Sequence, residues 1–182
     1  MESFGPLQFL KDRTTLITVA TGFLAKIFVE KILRIQPNVK KLYLLVRAED
    51  TQSATKRVQN EIVEKDLLRV VRDTCGANLE SFISEKVVSV AGDVSFLDLG
   101  VKDSQVRGQM LREIDLVVNF AATSSFDERY DVTLNTNGTG ALHVLNFAKK
   151  CININVLLHV SAGKTLFNYP ILVFLLRLGL PD

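Results

Sequence analysis

The chain has 182 residues, of which 47% are hydrophobic and 23% charged, an ordinary balance for one globular domain with a buried core. Its 22 basic and 20 acidic residues are mixed along the chain, so no basic stripe favours nucleic acid as a partner. Cys75 and Cys151 lie far apart and outside any CxxC or Cys/His cluster, which predicts idle thiols and neither a metal site nor a disulfide.

Short β-rich segments alternate with longer helical patterns along the chain. Most of these segments are continuously apolar, as are strands that helices cover on both faces. The predicted strands are residues 14–20, 41–47, 86–91, 116–121 and 155–161. The pattern predicts an α/β fold, a doubly wound parallel Rossmann-type sheet of five strands in the order 3-2-1-4-5, incomplete on its C-terminal side.

Three helices are predicted from apolar residues at helical spacing. The first covers residues 22–35 and ends before Pro37, and the second, long and charged, covers about 52–72 and stops at Cys75-Gly76. The third covers about 138–150 and ends in two lysines, which suit a helix C-terminus.

The loop between the first strand and the first helix reads TVATGFLA, the context of a dinucleotide fingerprint. Such a loop uses glycines for a tight turn, for close approach to the pyrophosphate and for helix packing. Only the second glycine, Gly22, is present; Val19 and Ala25 occupy the other positions, which predicts weakened cofactor affinity. The alternative is a strand-turn-helix with no ligand. The candidate contacts are Thr18, Ala20, Thr21, Gly22, Phe23 and Leu24.

Arg47 ends the second predicted strand, where this fold offers a side chain to the adenosine ribose. An acid at this point selects a 2′-hydroxyl, whereas an arginine pairs with a 2′-phosphate, so the predicted cofactor is NADP(H). The alternative is a solvated charge at a strand end, which the neighbouring Glu49 and Asp50 keep open.

Beyond the loop, several stretches stand in a characteristic order: ITVATGFLAKIFVEKILRIQPNVKKLYLLVRAED, EKVVSVAGDVS, VVNFAATSSFDERYDV and NTNGTGALHVLNFAKKC, followed by LLHVS. Together they resemble the plant alcohol-forming fatty acyl-CoA reductases, extended short-chain dehydrogenase/reductases with a male-sterility-type NAD-binding domain. The resemblance runs from about residue 16 to residue 161. In that family the loop is written TGxxGFLA, so Ala25 is expected and Val19 is a departure.

The resemblance implies further site residues. Asp93 and Val94 would contact the adenine, and Ala121, Ala122 and Thr123 would lie beside the ribose and nicotinamide. Asn135 would be the helix asparagine that steadies a proton relay. The residues alone leave alternatives open: a turn at residues 93–94, tight sheet packing at 121–122, and capping of the next helix by residue 135.

The family reduces a fatty acyl-CoA with NADPH, by way of an aldehyde, to a primary alcohol, and its fold uses a Tyr-x-x-x-Lys pair as proton donor. Four residues beyond Tyr43, Tyr130 and Tyr169 stand an arginine, a leucine and a valine, so no such pair is present. We therefore expect the chain to be inactive alone. His143 and His159, within a helix and an apolar strand, are interpreted as core or surface residues and not as catalysts.

After residue 161 the resemblance stops, which predicts an NADP-binding domain at 1–161, a divergent apolar tail at 162–182 and no acyl-binding C-terminal domain. The tail is not a P-loop, because Leu158 stands where that motif needs glycine. Its apolar run of about 12 residues is too short for a membrane span. It would cover the sheet edge, contact a membrane surface or promote aggregation.

Three functions are consistent with these features. The first is NADPH-dependent reduction of fatty acyl-CoA to fatty alcohol in lipid and wax metabolism, by a family member that is incomplete here. The second is a non-catalytic NADP-binding or interaction module that pairs with a full-length paralogue through the unfinished sheet edge. The third is a non-functional truncation product. No signal or transit peptide is evident, which predicts the cytoplasm, with peripheral contact at the endoplasmic reticulum membrane as a further expectation.

Overall fold

The computed structural model describes residues 5–121, 138–161 and 172–177. Its framework is a six-stranded sheet in the order β3-β2-β1-β4-β5-β6. The strands are β1 (Thr14–Ile17), β2 (Lys41–Val46), β3 (Val87–Ala91), β4 (Leu116–Asn119), β5 (Val156–Ser161) and β6 (Leu172–Arg177). The first five are parallel, which confirms the predicted sheet and its strand order.

The central strands β1 and β4 are shorter than predicted, because the chain leaves the sheet at Thr18 and at Phe120. Every residue of both strands is buried, as strands covered on two faces should be. Their early ends place the following residues at the carboxyl edge of the sheet, where ligands bind in this fold.

The sixth strand lies in the apolar tail. β6 runs antiparallel to β5, with Val156 opposite Arg177 and Ser161 opposite Leu172. Among the three expectations for the tail, residues 172–177 meet the first, since they cover the outer edge of β5. That is also the edge through which pairing with a paralogue was predicted.

Seven α-helices are described. They are α1 (Pro6–Leu10), α2 (Phe23–Ile35), α3 (Thr51–Val58), α4 (Arg69–Cys75), α5 (Leu79–Lys86), α6 (Ser104–Glu113) and α7 (Gly140–Lys150). The helices at 79–86 and 104–113 were not predicted. In the described ranges, no helix combines the length and apolarity that a membrane crossing needs.

Two apolar cores sandwich the sheet. Leu16 faces one core with Val117, Leu157 and the buried residues of α6 and α7. The next residue, Ile17, faces the other core, which is built with α2, α3 and α4. Successive strand residues point to opposite faces, so adjacent residues of β1 serve different layers of a doubly wound fold.

The prediction of one continuous helix over about 52–72 is wrong in one respect: the helix is interrupted between α3 and α4. A π-helical turn (Gln59–Val63) follows α3, and the chain becomes extended at Lys65 before α4 begins. Arg72 donates to the main-chain oxygens of Val63 (2.7 Å) and Lys65 (2.8 Å), so its guanidinium ties α4 to the residues on both sides of the break. Apolar spacing continues across the break, so periodicity alone does not reveal it.

A charged cluster lies at the amino edge of the sheet, away from the strand ends that bind ligands. Glu113 accepts from Lys41 Nζ and from Tyr43 Oη, both 2.8 Å from Oε2, and from Gln109 Nε2 at 3.0 Å from Oε1. Burial and the bond to the carboxylate raise the pKa of Tyr43. This tyrosine therefore braces the fold and is not a proton donor for catalysis.

Candidate dinucleotide site

The turn after β1 keeps its shape without the first glycine of the fingerprint. Val19 has a φ of 48°, in the left-handed region that a β-branched residue rarely occupies. Its carbonyl oxygen accepts from Gly22 N at 2.8 Å, which closes the turn. The valine is thus held in a strained conformation, which costs about 1–3 kcal/mol.

Gly22 stands at the start of α2 with its Cα against the turn. A methyl group there would lie 3.1 Å from the carbonyl oxygen of Val19, tighter than most real contacts. No side chain caps α2, so its first N–H groups face the loop. An uncapped helix N-terminus approached by bare backbone is suited to a phosphate.

The remaining loop residues divide by exposure. Thr18 and Ala20 are fully buried, whereas Phe23 and Leu24 are 75% and 42% exposed. Thr18 and Ala20 therefore present no exposed surface to a cofactor, while the two apolar side chains lie open beside the helix N-terminus. Ala25 is buried in the core, where the third glycine of the fingerprint would serve packing.

Arg47 and Asp93, predicted separately, are brought together. Arg47 Nε lies 3.0 Å from Asp93 Oδ2, at the carboxyl ends of β2 and β3. The Asp93 carboxylate also accepts from Ser95 N at 2.9 Å, so the turn proposed as an alternative at this position is present as well. Val94 is 2% exposed and its carbonyl oxygen lies 2.9 Å from His143 Nδ1, so little of this residue is open to an adenine.

Sequence reasoning missed Arg57. Its guanidinium, on α3, donates to the main-chain oxygen of Arg47 and lies 3.4 Å from Thr21 Oγ1, while Nε pairs with Glu61 at 2.7 Å. It therefore bridges the phosphate loop and the end of β2. The sequence signal for Arg57 was its place in the helix that follows the second strand. The direction of its side chain, however, depends on where α3 begins.

Asp50 has a structural role at the start of the helix that follows Arg47. Its side chain accepts from Ser53 N at 2.7 Å and caps α3, and these bonds lower its pKa. This acid thus has a structural task at the helix start, and the side chain brought near Thr21 is that of Arg57.

A buried polar chain crosses the carboxyl ends of three strands. Thr18 Oγ1 donates to Asn119 Oδ1 at 2.6 Å, and Asn119 Nδ2 lies 2.8 Å from His159 Nδ1. Main-chain N–H groups join it, since Phe120 N donates to Thr18 Oγ1 and Ala121 N to Asn119 Oδ1, both at 3.1 Å. Ala121 is thereby fixed at the end of β4. Ala122, Thr123 and Asn135 lie outside the described residues.

The other reactive groups of the described ranges do not form a second centre. Both cysteines are free, and burial raises the pKa of Cys151 to about 12, which keeps its thiol protonated. Within residues 5–121, 138–161 and 172–177, no three His, Cys, Asp or Glu side chains group as a metal would require.

The strand order, the turn after β1 and the uncapped α2 define a Rossmann-type nucleotide-binding domain of the short-chain dehydrogenase/reductase kind. Residues 17–170 match the Male sterility protein model of NAD-binding domains, and the chain belongs to this family. The family predicted from the sequence is confirmed, and with it a nicotinamide cofactor.

Curated plant proteins are similar over most of the chain. Probable fatty acyl-CoA reductase 5 of Arabidopsis thaliana is 60% identical over 158 residues, 86% of this chain and 32% of that protein. The alcohol-forming fatty acyl-CoA reductase of Simmondsia chinensis is 55% identical over 164 residues, 90% of this chain and 33% of the relative. The chain thus spans about a third of the relatives it matches.

Solved structures with the same fold are reductase domains. The terminal R domain from the myxalamid PKS-NRPS pathway gives a TM-score of 0.66 at 25% identity, covering 84% of this chain and 35% of that one. The R domain of a nonribosomal peptide synthetase from Mycobacterium tuberculosis gives 0.65 at 28% identity, covering 84% and 34%.

Proposed function

We propose that the chain is the nucleotide-binding portion of a fatty acyl-CoA reductase and that it binds NADPH in preference to NADH. The observation that carries the proposal is the position of Arg57, whose guanidinium lies 3.4 Å from Thr21 Oγ1 and donates to the main-chain oxygen of Arg47, where the phosphate loop meets the end of β2. This guanidinium suits a 2′-phosphate, whose charge and oxygens it can pair with, and the exposed Arg47 guanidinium at the same strand end supplies a second donor once it turns from Asp93.

The other contacts fit the rest of the cofactor. The N-terminus of α2, with Gly22 against the turn, would hold the pyrophosphate. Asp93 would meet the adenine, and the main chain at Ala121 would lie beside the nicotinamide ribose. When bound, NADPH supplies a hydride for an acyl carbonyl; the chain's part is to hold and orient it.

The substrate of the complete family member is proposed to be a fatty acyl-CoA, reduced to a fatty alcohol. This chain contains no tyrosine followed four residues later by lysine. We therefore expect it to bind NADPH without turnover. Fatty alcohol formed from an acyl-CoA and NADPH by the purified chain would contradict this part of the proposal.

A non-catalytic role through pairing with a full-length paralogue remains the second candidate. The outer edge of β5, through which such pairing was predicted, already pairs with β6. A partner strand would have to add elsewhere, which makes this candidate weaker than nucleotide binding.

The cytoplasmic location stays a prediction.

The test is calorimetric titration of the purified chain with NADPH, NADH, adenosine 2′,5′-bisphosphate and 5′-AMP, with thermal unfolding in parallel. A ligand at 100 times its Kd stabilises the folded state by about 2.7 kcal/mol, a shift of several degrees in Tm for a domain of this size. We expect NADPH and the bisphosphate to bind at least ten times more tightly than their counterparts without the 2′-phosphate. A cooperatively folded chain that binds none of the four overturns the proposal.

A further inference from the structure

The orientation of the Asn119 amide is determined by its neighbours. Ala121 N can only donate, and it points at Oδ1, which also accepts the Thr18 hydroxyl proton. The amide nitrogen Nδ2 must therefore face His159, 2.8 Å away. Since Nδ2 can only donate, His159 Nδ1 must accept, and the neutral ring carries its proton on Nε2.

Each proton in this chain of bonds has one direction. The Thr18 hydroxyl accepts from Phe120 N, so its own proton is free to go to Asn119. Asn119 is 1% exposed, and an unpaired amide there would carry the full penalty of a buried polar group. His159 is therefore the third polar partner of the Asn119 side chain, after the Thr18 hydroxyl and Ala121 N. This side chain fixes the ends of both β1 and β4.

We propose that His159 is a positioning residue for the nicotinamide half of the cofactor, acting through Asn119 on the main chain of Ala121. This inference rests on the proposed function, since it concerns how the same nucleotide is held. Within the part of the chain that the structure describes, the polar partner of His159 is Asn119, so the effect argued for His159 passes through that amide.

The two halves of the cofactor depend on different bonds. The adenosine side is held by Gly22 N to Val19 O, by Ala20 N to Leu45 O and by Arg47 with Asp93, none of which involves the Asn119 side chain. The bonds through Asn119 join Thr18, at the buried start of the phosphate loop, to Ala121, on the side predicted for ribose and nicotinamide. A broken bond at His159 should therefore weaken the whole dinucleotide more than its adenosine fragment.

Burial supports the acceptor role. It lowers the pKa of His159, so the ring is neutral at pH 7 and its Nδ1 lone pair is available. His143 is a useful contrast, because its Nδ1 lies 2.9 Å from the carbonyl oxygen of Val94 and must donate. These are the only two histidines in the sequence. When neutral, they must carry their protons on opposite nitrogens, His159 on Nε2 and His143 on Nδ1.

The experiment compares Kd for NADPH and for adenosine 2′,5′-bisphosphate in three variants of the full chain. His159→Leu removes the acceptor, His159→Gln restores one through its amide oxygen, and Leu157→Ala loosens the same face of β5 without touching the polar chain. We expect His159→Leu to raise Kd for NADPH about tenfold, with bisphosphate binding within about twofold of wild type. His159→Gln should recover most of the loss, and Leu157→Ala should lower Tm with the ratio of the two Kd values unchanged.

Nitrogen-15 NMR of the wild-type chain gives a second test that needs no variant to fold. We expect an unprotonated Nδ1 for His159, a protonated Nδ1 for His143, and a shift of the His159 signals with NADPH that the bisphosphate does not produce. An Nδ1-protonated neutral His159, or equal weakening of both ligands by His159→Leu, overturns this inference alone. A folded wild-type chain that binds neither ligand overturns the proposed function and this inference together.

Discussion

Arg47 and Asp93 form an ion pair at the carboxyl ends of β2 and β3, with Nε 3.0 Å from Oδ2. The arginine is the more exposed partner, at 60% of its side-chain surface against 25%. Exposed pairs contribute about 0–1 kcal/mol, so an incoming phosphate can reorient the guanidinium at small cost. The pair therefore leaves Arg47 free to turn towards a phosphate, as the proposed preference for NADPH requires.

The first prediction concerns selection of the 2′-phosphate. Arg47→Ala and Arg57→Ala should each raise Kd for NADPH by about tenfold or more, because each removes a charged hydrogen-bond donor. Binding of NADH should change less, since it lacks the phosphate. Calorimetric titration with both nucleotides gives the two ratios.

The control for both substitutions is Lys31→Ala, which removes one positive charge from the exposed face of α2. It separates a local contact from the general effect of net charge. Equal loss of NADPH and NADH affinity in the arginine variants would show that these residues support the loop and do not select the cofactor.

The second prediction concerns the strained turn. Val19→Gly should raise the free energy of unfolding by about 1 kcal/mol, because glycine adopts the observed φ of 48° without steric penalty. It should also tighten NADPH binding, since the turn would already favour the bound shape. Denaturant unfolding measures the first effect and titration the second; a lower midpoint with an unchanged slope would contradict the assignment of strain.

The dinucleotide loop was predictable because several local features agree. An apolar strand, a turn with Gly22 and an amphipathic helix follow one another directly, and each alone restricts the backbone. The departure from the fingerprint was also visible, since Val19 stands where the turn needs a residue with left-handed backbone angles. The sequence could not show whether the turn would deform or keep its shape, because the bond from Gly22 N to Val19 O competes with the valine's preference.

Arg57 and the pairing of β6 could not be read from the sequence for one shared reason: each depends on a partner in another element of the fold. The break before α4 was hidden for a different reason, because apolar spacing continues across it. Arg57 finds Thr21 and the end of β2 only after α3 has packed. β6 pairs with β5 although an apolar run fits several environments equally well. The α6 helix, by contrast, was missed although a local cue was present. That cue is Asp103, which accepts from Gln105 N and Val106 N as an N-cap residue does.

The third prediction concerns the turn that carries Asp93. An alanine methyl at Gly92 would run into the carbonyl oxygen of Leu99 and lie 2.7 Å from Leu45 Cδ1. Gly92→Ala should therefore destabilise the fold by about 1–3 kcal/mol, a fall of roughly 2–4 °C in Tm for each kcal/mol. Because Asp93 N bonds to Leu99 O at 2.7 Å, the displaced turn should also weaken NADPH binding.

Gly108→Ala is the matched control for Gly92→Ala. Gly108 lies inside α6, and a methyl there meets only the end of the Arg112 side chain, at 3.5 Å. It should raise stability by up to about 1 kcal/mol through helix propensity. The same substitution should thus act with opposite signs at the two sites; equal effects would contradict the steric account.

The fourth prediction concerns the edge that β6 covers. Deleting residues 162–182 would expose the N–H and C=O groups of β5 and invite pairing between chains. We expect a lower Tm and more light scattering at the same concentration. A truncated chain that stays monomeric with the same Tm would show that β6 contributes nothing to stability or solubility.

The fifth prediction is a pH dependence at Glu113. Burial acts to raise the pKa of this carboxyl, but the bonds from Lys41, Gln109 and Tyr43 more than offset it and hold the pKa at about 2, below the ordinary 4.5. A depressed carboxyl pKa stabilises the folded state fully above 4.5, and the contribution is lost as the pH falls from there towards 2. Glu113→Gln should therefore be less stable than wild type at pH 6, with the gap closing below about pH 4.5.

Denaturant unfolding from pH 2.5 to 6, on wild type, Glu113→Gln and the exposed-surface control Glu80→Gln, measures that gap. Glu80 is exposed on α5 and outside the cluster, so its variant should follow the wild-type curve. Tyr43→Phe should lie between wild type and Glu113→Gln at pH 6, because it removes one of the three donors and leaves the Lys41 pair intact. A constant difference between wild type and Glu113→Gln across the whole range would mean that this carboxylate is not held ionised by its neighbours.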